Sequence, residues 1–244
     1  MASLSVLVPA YNEEAGLAAT VDHLLQALTA TVEDFEIIVV DDGSADATPK
    51  IADELARRHP RVRCVHNERN RGLGYCYLRG IREARKSHFV YIPGDNSWPE
   101  ASVKDIVGHL GKADIVTSYA TNPEVRRNWR RWVSSLYTVV VNLLFLRRMT
   151  YYNGLTIYPR AFLLANPPTT YGFGFQSETL LKALADRLTY VEVGVPIDED
   201  ASTTSKAITA RNVLSVVKTV ARTFFAIHFR RPRRSAPGGV TEIS

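Results

Sequence analysis

Asp41-Asp42 follows a run of apolar residues and precedes Gly43-Ser44. Two carboxylates at the end of a buried strand are costly unless they are paired or stand in a solvated cleft. In a cleft, such a group can accept hydrogen bonds from a nucleobase N–H or a ribose hydroxyl. Pro9-Ala10-Tyr11-Asn12-Glu13-Glu14 ends the first apolar run, and Pro93-Gly94-Asp95-Asn96 ends a later one. Asn70-Arg71-Gly72-Leu73-Gly74 opens a helix-like stretch, where backbone N–H groups and the helix dipole favour an anion. Each turn also has a purely structural reading. Asn12 and Asp46 can cap helices, Glu13 and Glu14 suit a positive first turn, and Gly43 suits a sharp bend.

The elements that must position these turns are legible from patterning. Nearly continuous, β-branched or aromatic runs at 4–9, 35–40, 62–65, 89–93 and 115–118 read as strands covered on both faces. Helical spacing fills 14–30, 48–58, 74–86 and 101–110 between them. This alternation means βαβ units and a parallel sheet, in which ligands bind outside the carboxyl ends of the strands. Pro9 cannot donate to a central ladder, so the first strand is expected to stop there. The second half is less regular: helices at 128–148, 177–186 and 207–229, with strands at 155–158 and 188–195. In the last helix Leu214, Val217, Val220, Ala221, Phe224 and Phe225 are expected on one side, opposite Arg211, Ser215, Lys218 and Arg222.

The chain has 244 residues, 45% hydrophobic and 23% charged, enough for a sizeable core. The expected organisation is one domain, 1–229, with a nucleotide-binding half (1–120) and an acceptor half (121–229), followed by a mobile basic tail at 230–244. The net charge of +5 favours anionic partners. Nucleic acid is disfavoured, because the basic residues are mostly terminal and no stacking aromatics interleave with them. Cys64 and Cys76 make neither a disulfide framework nor a zinc site, and read as packed thiols of a reduced compartment. No signal peptide is apparent, and the apolar run 133–146 is too short and too polar to span a bilayer. A cytoplasmic protein is expected, touching the inner membrane face peripherally through its basic, amphipathic last helix. The oligomeric state is left open, a homodimer included.

Taken together, Pro9-Ala10-Tyr11-Asn12-Glu13, then Val39-Val40-Asp41-Asp42-Gly43-Ser44-Ala45-Asp46-Ala47-Thr48, then Asn70-Arg71-Gly72-Leu73-Gly74 resemble the glycosyltransferase family 2 pattern, in its dolichol-phosphate mannose synthase-like branch. The resemblance is strong over the first half and thin over the second. It implies an α/β GT-A fold: a Rossmann-like, mostly parallel sheet with helices on both faces and a C-terminal amphipathic helix. It also implies Pro9, Tyr11, Glu13 and Asp41 around the nucleotide. The donor site expected on this basis comprises Pro9, Ala10, Tyr11, Glu13, Asp41, Asp42, Asn70, Gly72, Gly94 and Asp95. The implied reaction is transfer of a sugar from a UDP- or GDP-linked donor by single inverting displacement, so no covalent enzyme nucleophile is expected.

The chain departs from the family at the metal motif. The family's fourth strand ends in Asp-x-Asp, holding Mg²⁺ or Mn²⁺ against the diphosphate; here Pro93 replaces the first Asp and Asp95 matches the second. Asp95 is expected to hold the divalent cation, with the neutral oxygen of Asn96 beside it and water and phosphate filling the other positions; the alternative is that arginines carry more of the leaving group's charge. Phe175-Gln176-Ser177-Glu178 resembles a Phe-Gln-x-Glu segment of the prenyl-phosphate branch, and Ser205-Lys206 a Ser-Lys pair. The Arg that usually precedes that pair is absent, and Asn153-Gly154-Leu155 lacks the leading Asp and the Arg of the corresponding family segment. A lipid-phosphate acceptor needs cations, for which Arg126, Arg127, Arg130, Arg131 and Lys206 are candidates. A hydroxyl acceptor needs a base, for which Glu178, Asp198, Glu199 and Asp200 are candidates. Asp95, Glu178 and Arg131 are the expected catalytic groups. The structural alternatives are a solvated basic helix start and an acidic surface loop.

Overall fold

The computed structural model of the chain describes residues 2–125, 128–172, 174–198 and 210–229, with the side chains of 130 and 210–213 outside that description. Seven strands form one sheet in the order β3-β2-β1-β4-β6-β5-β7. They are β1 (Leu4–Ala10), β2 (Phe35–Asp41), β3 (Val62–His66), β4 (His88–Tyr91), β5 (Ile115–Ala120), β6 (Thr156–Pro159) and β7 (Tyr190–Val195). β1 runs parallel to β2 and β4, β2 to β3 and β5 to β7; β6 alone is antiparallel to its neighbours β4 and β5.

The helices are α1 (Leu17–Thr31), α2 (Thr48–Arg58), α3 (Leu73–Glu83), α4 (Glu100–Val107), α5 (Asn128–Phe145), α6 (Arg160–Ala165), α7 (Phe175–Ala185) and α8 (Ala210–His228). Strand alternation divides the core into two layers. Val6, Val8, Ile37 and Val39 face α1, α2 and α4, while Leu7, Ile38 and Val40 face α3 and the helices of the second half. All seven residues of β2 are buried, which accounts for its unbroken apolar run.

Three expectations about the first turn are corrected. β1 continues through Pro9 to Ala10, in register with Val40 and Asp41 of β2. Pro9 is tolerated because its missing N–H faces the β4 side, where pairing ends at Leu7↔Tyr91, and its carbonyl still accepts the Gly94 N–H at 3.3 Å. Asn12 does not cap α1; it has a positive φ of 55° and is used elsewhere. Glu13 and Glu14 precede α1, whose first turn contains no acid. Asp46 does accept the Thr48 N–H at 3.0 Å at the mouth of α2, as a capping carboxylate should.

α6 was not foreseen: six residues after Pro159 are too few to show a period. The apolar side expected for α8 is split in the structure. Val220, Phe224 and Ile227 pack on the core, while Leu214, Val217 and Phe225 are exposed. α5 likewise turns Val141 and Phe145 inward and leaves Trp132, Leu136, Val139 and Leu143 exposed. No helix among the described residues is long and apolar enough to cross a membrane. Residues 199–209 and 230–244, which include Glu199, Asp200, Lys206 and the tail, lie outside the described residues, as do Arg126 and Arg127.

Candidate functional site

β2, β1 and β4 are neighbours and parallel, so their carboxyl ends open on one edge of the sheet. That edge carries Ala10–Glu14, Asp41–Ser44 and Pro93–Asn96 side by side. Gly94 is pressed against β1: a Cβ there would stand 3.2 Å from the Pro9 carbonyl. The Asp95 backbone lies against Gly16 in turn, within 3.1 Å of where that residue's Cβ would be. Neighbouring strands are spaced about 4.8 Å apart, so the Asp41 and Asp95 backbones stand on the order of 10 Å apart across the end of β1.

The adjacent carboxylates diverge, because successive side chains on a strand point to opposite faces. Asp41 turns toward the α2 side. Its Oδ1 accepts the Ser44 N–H at 3.0 Å, and its Oδ2 lies 2.9 Å from His66 Nδ1. That hydrogen bond raises the His66 pKa above its ordinary value against the opposing effect of burial, with Asp53 adding to the rise. Asp42 turns toward α3. Its Oδ1 accepts from Asn67 Nδ2 at 2.6 Å and the Arg71 N–H at 2.9 Å, and its Oδ2 accepts the Gly72 N–H at 2.7 Å. Both carboxylates are at least 97% buried.

This revises the reading of the glycine-rich turn. The N–H groups of Arg71 and Gly72 at the mouth of α3 do not await a ligand, because Asp42 already occupies the anion position that a helix N-terminus offers. Gly72 has φ 86° and Gly43 φ 70°. A Cβ on Gly43 would lie 2.6 Å from the Arg69 backbone, so Gly43 lets the second and third turns pack together. Asn70 is exposed beside them.

The first turn is laced to the second by side chains. Asn12 Oδ1 accepts the Ala45 N–H at 2.9 Å, and its own N–H donates to Ser44 Oγ at 3.0 Å. The Glu13 N–H donates to Thr48 Oγ1 at 2.8 Å. Tyr11 is left 41% exposed at the rim. A hollow of about 530 Å³ opens between these turns, lined by Asn12, Glu13, Glu14, Ala15, Ala45 and Asp46. A second, of about 550 Å³, lies beyond the third turn among His66, Arg69, Arg71, Tyr75, Arg79 and Tyr171.

Asp95 is exposed, and its Oδ1 accepts the Ser97 N–H at 3.1 Å. Asn96 points elsewhere: its Oδ1 lies 3.0 Å from His23 Nδ1 on α1, and its φ is 58°. At the end of β4 the described residues therefore offer a divalent cation the exposed carboxylate of Asp95. That suits a hard cation shared with a diphosphate, since Mg²⁺-type sites commonly use one or two carboxylates with substrate phosphates and water. It does not reproduce a paired-carboxylate clamp, and Asn96 is engaged by His23.

The second-half candidates separate. Glu178 is 2% exposed; its Oε1 accepts from the Thr169 N–H at 2.9 Å, the Thr169 hydroxyl at 2.8 Å and Lys182 at 2.6 Å. It ties the turn before α7 in place and is closed to solvent. Asp198 is brought to the strand ends: its N–H donates to the Ser97 carbonyl at 3.2 Å, two residues from Asp95, and it is exposed. Arg131 is exposed on α5, near Asn128. Sequence reasoning missed His66 and His23, the rings that hold Asp41 and Asn96. The spacing of Cys64 and His66 on one face of a strand was the signal available for the first; nothing in the sequence pointed to the second.

A parallel α/β sheet with its polar turns gathered at the carboxyl ends of β2, β1 and β4 is the GT-A architecture. The chain belongs to glycosyl transferase family 2, whose model matches residues 5–166. Putative glycosyltransferase EpsH of Bacillus subtilis is 39% identical over 98 residues, 40% of this chain and 27% of that protein. Dolichol-phosphate mannosyltransferase of Pyrococcus furiosus is 33% identical over 107 residues, 43% of this chain and 29% of that protein. The chain thus spans under a third of either relative. Among solved structures, glucosyl-3-phosphoglycerate synthase from Mycobacterium tuberculosis in complex with Mn²⁺, UDP and glucosyl-3-phosphoglycerate superposes with a TM-score of 0.65 at 21% identity, covering 95% of this chain and 81% of that one. That likeness is one of fold.

Proposed function

We propose that the chain transfers a sugar from a nucleoside-diphosphate sugar to a lipid-linked phosphate by single inverting displacement. The observation that carries this reading is the convergence of the β2, β1 and β4 ends, with Tyr11 at the rim and the exposed carboxylate of Asp95 at the far side. The nucleotide lies along the first two turns, which Asp41 and Asp42 shape from within rather than by direct contact, since their oxygens already have partners. Asp95 would hold Mg²⁺ or Mn²⁺, and the cation would supply neutralisation of the charge that develops on the diphosphate leaving group. Complexes of the structural relative with Mn²⁺ and UDP support that assignment. Inversion needs a nucleophile on the opposite side of the sugar. A phosphate monoester is anionic near neutral pH and needs no base, so the buried Glu178 acts as a positioning group. Were the acceptor a hydroxyl, the exposed Asp198 beside the Asp95 turn is the base candidate.

The membrane supplies that acceptor. Trp129, Trp132, Leu136, Val139 and Leu143 make an exposed apolar stripe on α5, with the exposed Arg131 and Arg148 near its two ends in sequence, and α8 also exposes Leu214, Val217 and Phe225. An apolar face with basic flanks suits an anionic bilayer surface. Vesicle flotation checks this: the chain should float with anionic vesicles, and Leu136→Glu with Leu143→Glu should leave it in the pellet.

The decisive experiment pairs thermal shift with a transfer assay, using UDP- and GDP-sugars with and without Mn²⁺ and a short polyprenyl phosphate as acceptor. A donor at 100 times its Kd adds about 2.7 kcal/mol of stability, and a glycosylated lipid phosphate should form. Absence of any donor-induced shift would sink the reading. A shift without product under any cation favours the second reading, a nucleotide-sugar-binding protein without turnover, which Pro93 in place of a ligating carboxylate motivates.

A further inference from the structure

Cys64 and His66 lie two residues apart on β3, the edge strand of the sheet, so alternation sends both to one face. That face is the one covered by α2, which sets Asp53 opposite them. His66 Nε2 is 3.3 Å from Cys64 Sγ and 3.2 Å from Asp53 Oδ1. Among the described residues this is the one group of three such side chains whose ligand atoms all lie within 4.8 Å of one another. We propose that Asp53, Cys64 and His66 bind a zinc-class divalent cation at the β3 edge, in a site separate from Asp95.

The separations fit an ion. Tetrahedral zinc with bonds of about 2.0–2.3 Å to N, O and S has ligand–ligand edges of roughly 3.3–3.6 Å. The two His66 separations are already close to that range and the third lies within 4.8 Å, so closing on an ion needs a shift on the order of 1 Å between Cys64 and Asp53. The donor set also selects the metal: one thiol, one imidazole and one carboxylate suit zinc, whereas Mg²⁺ takes oxygen ligands. Cysteine count alone excluded zinc, because it overlooked the neighbouring His66 and because only the fold brings Asp53 of α2 to the pair.

A second observation points the same way. His66 Nδ1 sits 2.9 Å from Asp41 Oδ2, and Asp41 is 98% buried. A carboxylate on one ring nitrogen holds the imidazole so that the other faces the metal, the usual outer support of a ligating histidine. The other side of the cluster is open. The Asp53 side chain is 61% exposed and that of His66 39%, which leaves an entry path and a fourth position for water. Binding releases the thiol proton and any proton on Nε2 to solvent; nothing is oxidised or reduced. β3 is three strand spacings from β4, on the order of 15 Å, so one ion cannot serve both Asp95 and this cluster. Asp41 also accepts the Ser44 N–H, so the cluster is joined to the turn at the end of β2.

The test titrates the metal-stripped full chain with Co²⁺, then displaces it with Zn²⁺ against a chromogenic chelator. One equivalent of Co²⁺ should bind with thiolate-to-cobalt charge-transfer and tetrahedral absorption bands. Cys64→Ser should remove the charge-transfer band, and Asp53→Asn should weaken Zn²⁺ binding at least ~10-fold. Asp95→Asn should change neither. Asp53 is exposed on α2, so its variant remains informative if Cys64→Ser does not fold. The proposal is overturned by a wild-type chain without the charge-transfer band, by a band that survives in Cys64→Ser, or by one that disappears in Asp95→Asn.

Discussion

At the N-terminal end of the sheet, Glu36 of β2 is 6% exposed and each of its oxygens is met by donors. Ser5 Oγ at 2.8 Å and the Arg85 N–H at 2.6 Å reach Oε1, and the Arg63 guanidinium reaches Oε2 at 3.0 Å. At the carboxyl end, Asp95 is exposed and has one oxygen on the Ser97 N–H. Burial works to raise the Glu36 pKa, yet the hydrogen bonds from Ser5, Arg85 and Arg63 outweigh it, and the group ends below the ordinary carboxylate value. The difference teaches which end is glue and which is workplace. A carboxylate whose lone pairs are all taken fixes geometry; one left open to solvent can take a cation or a substrate. Asp42 shows that position alone does not decide: it sits at the carboxyl end but is as fully partnered as Glu36.

The sharpest way to break this contrast is to neutralise both groups. Asp95→Asn keeps an acceptor for the Ser97 N–H, so the melting temperature should hold while sugar transfer falls roughly 10²–10³-fold, the scale of losing one group that stabilises transition-state charge. A loss of stability without loss of turnover would put Asp95 among the structural carboxylates. Glu36→Ala should do the reverse. Leaving Ser5 and the Arg85 N–H without their acceptor, and Arg63 with Glu83 alone, costs about 2 kcal/mol in urea-induced unfolding, with activity per folded molecule unchanged.

A smaller effect tests whether the carboxyl-end turns act as one unit. Gly43→Ala forces a side chain into φ 70° and against the Arg69 backbone. It should cost about 2 kcal/mol and also weaken donor binding, measured by calorimetry, because the second and third turns must part. Loss of stability with donor affinity intact would show that the donor does not touch this junction.

How much of this was legible depended on the kind of signal. The strands β1 to β5 and the three polar turns followed from apolar runs punctuated by Pro, Gly and Asp, because local sequence decides them. The fates of Asp41 and Asp42 did not, although they are adjacent. One meets His66 across a parallel pairing, and the other meets N–H groups thirty residues on. The exposed stripe of α5 escaped for a similar reason. Its apolar positions surround the helix, and only tertiary packing decides that Val141 goes inward and Leu143 does not. Glu178 resembled a family motif, but its closure under Thr169 and Lys182 is a property of the folded turn.

The finest probe of the contrast is pH. Because the folded Glu36 pKa is depressed, its contribution to stability is fully present above the unfolded value of about 4.3 and is lost as pH falls through the lower folded value. The unfolded chain then binds the proton more tightly than the native one, so stability drops with acid. In Glu36→Gln that part of the slope is gone. Urea unfolding at a series of pH values should show wild type and variant diverging above that value and converging in acid. Parallel lines for Glu36→Gln would mean that its donors do not hold it charged, and the distinction between the two ends of the sheet would rest on geometry alone.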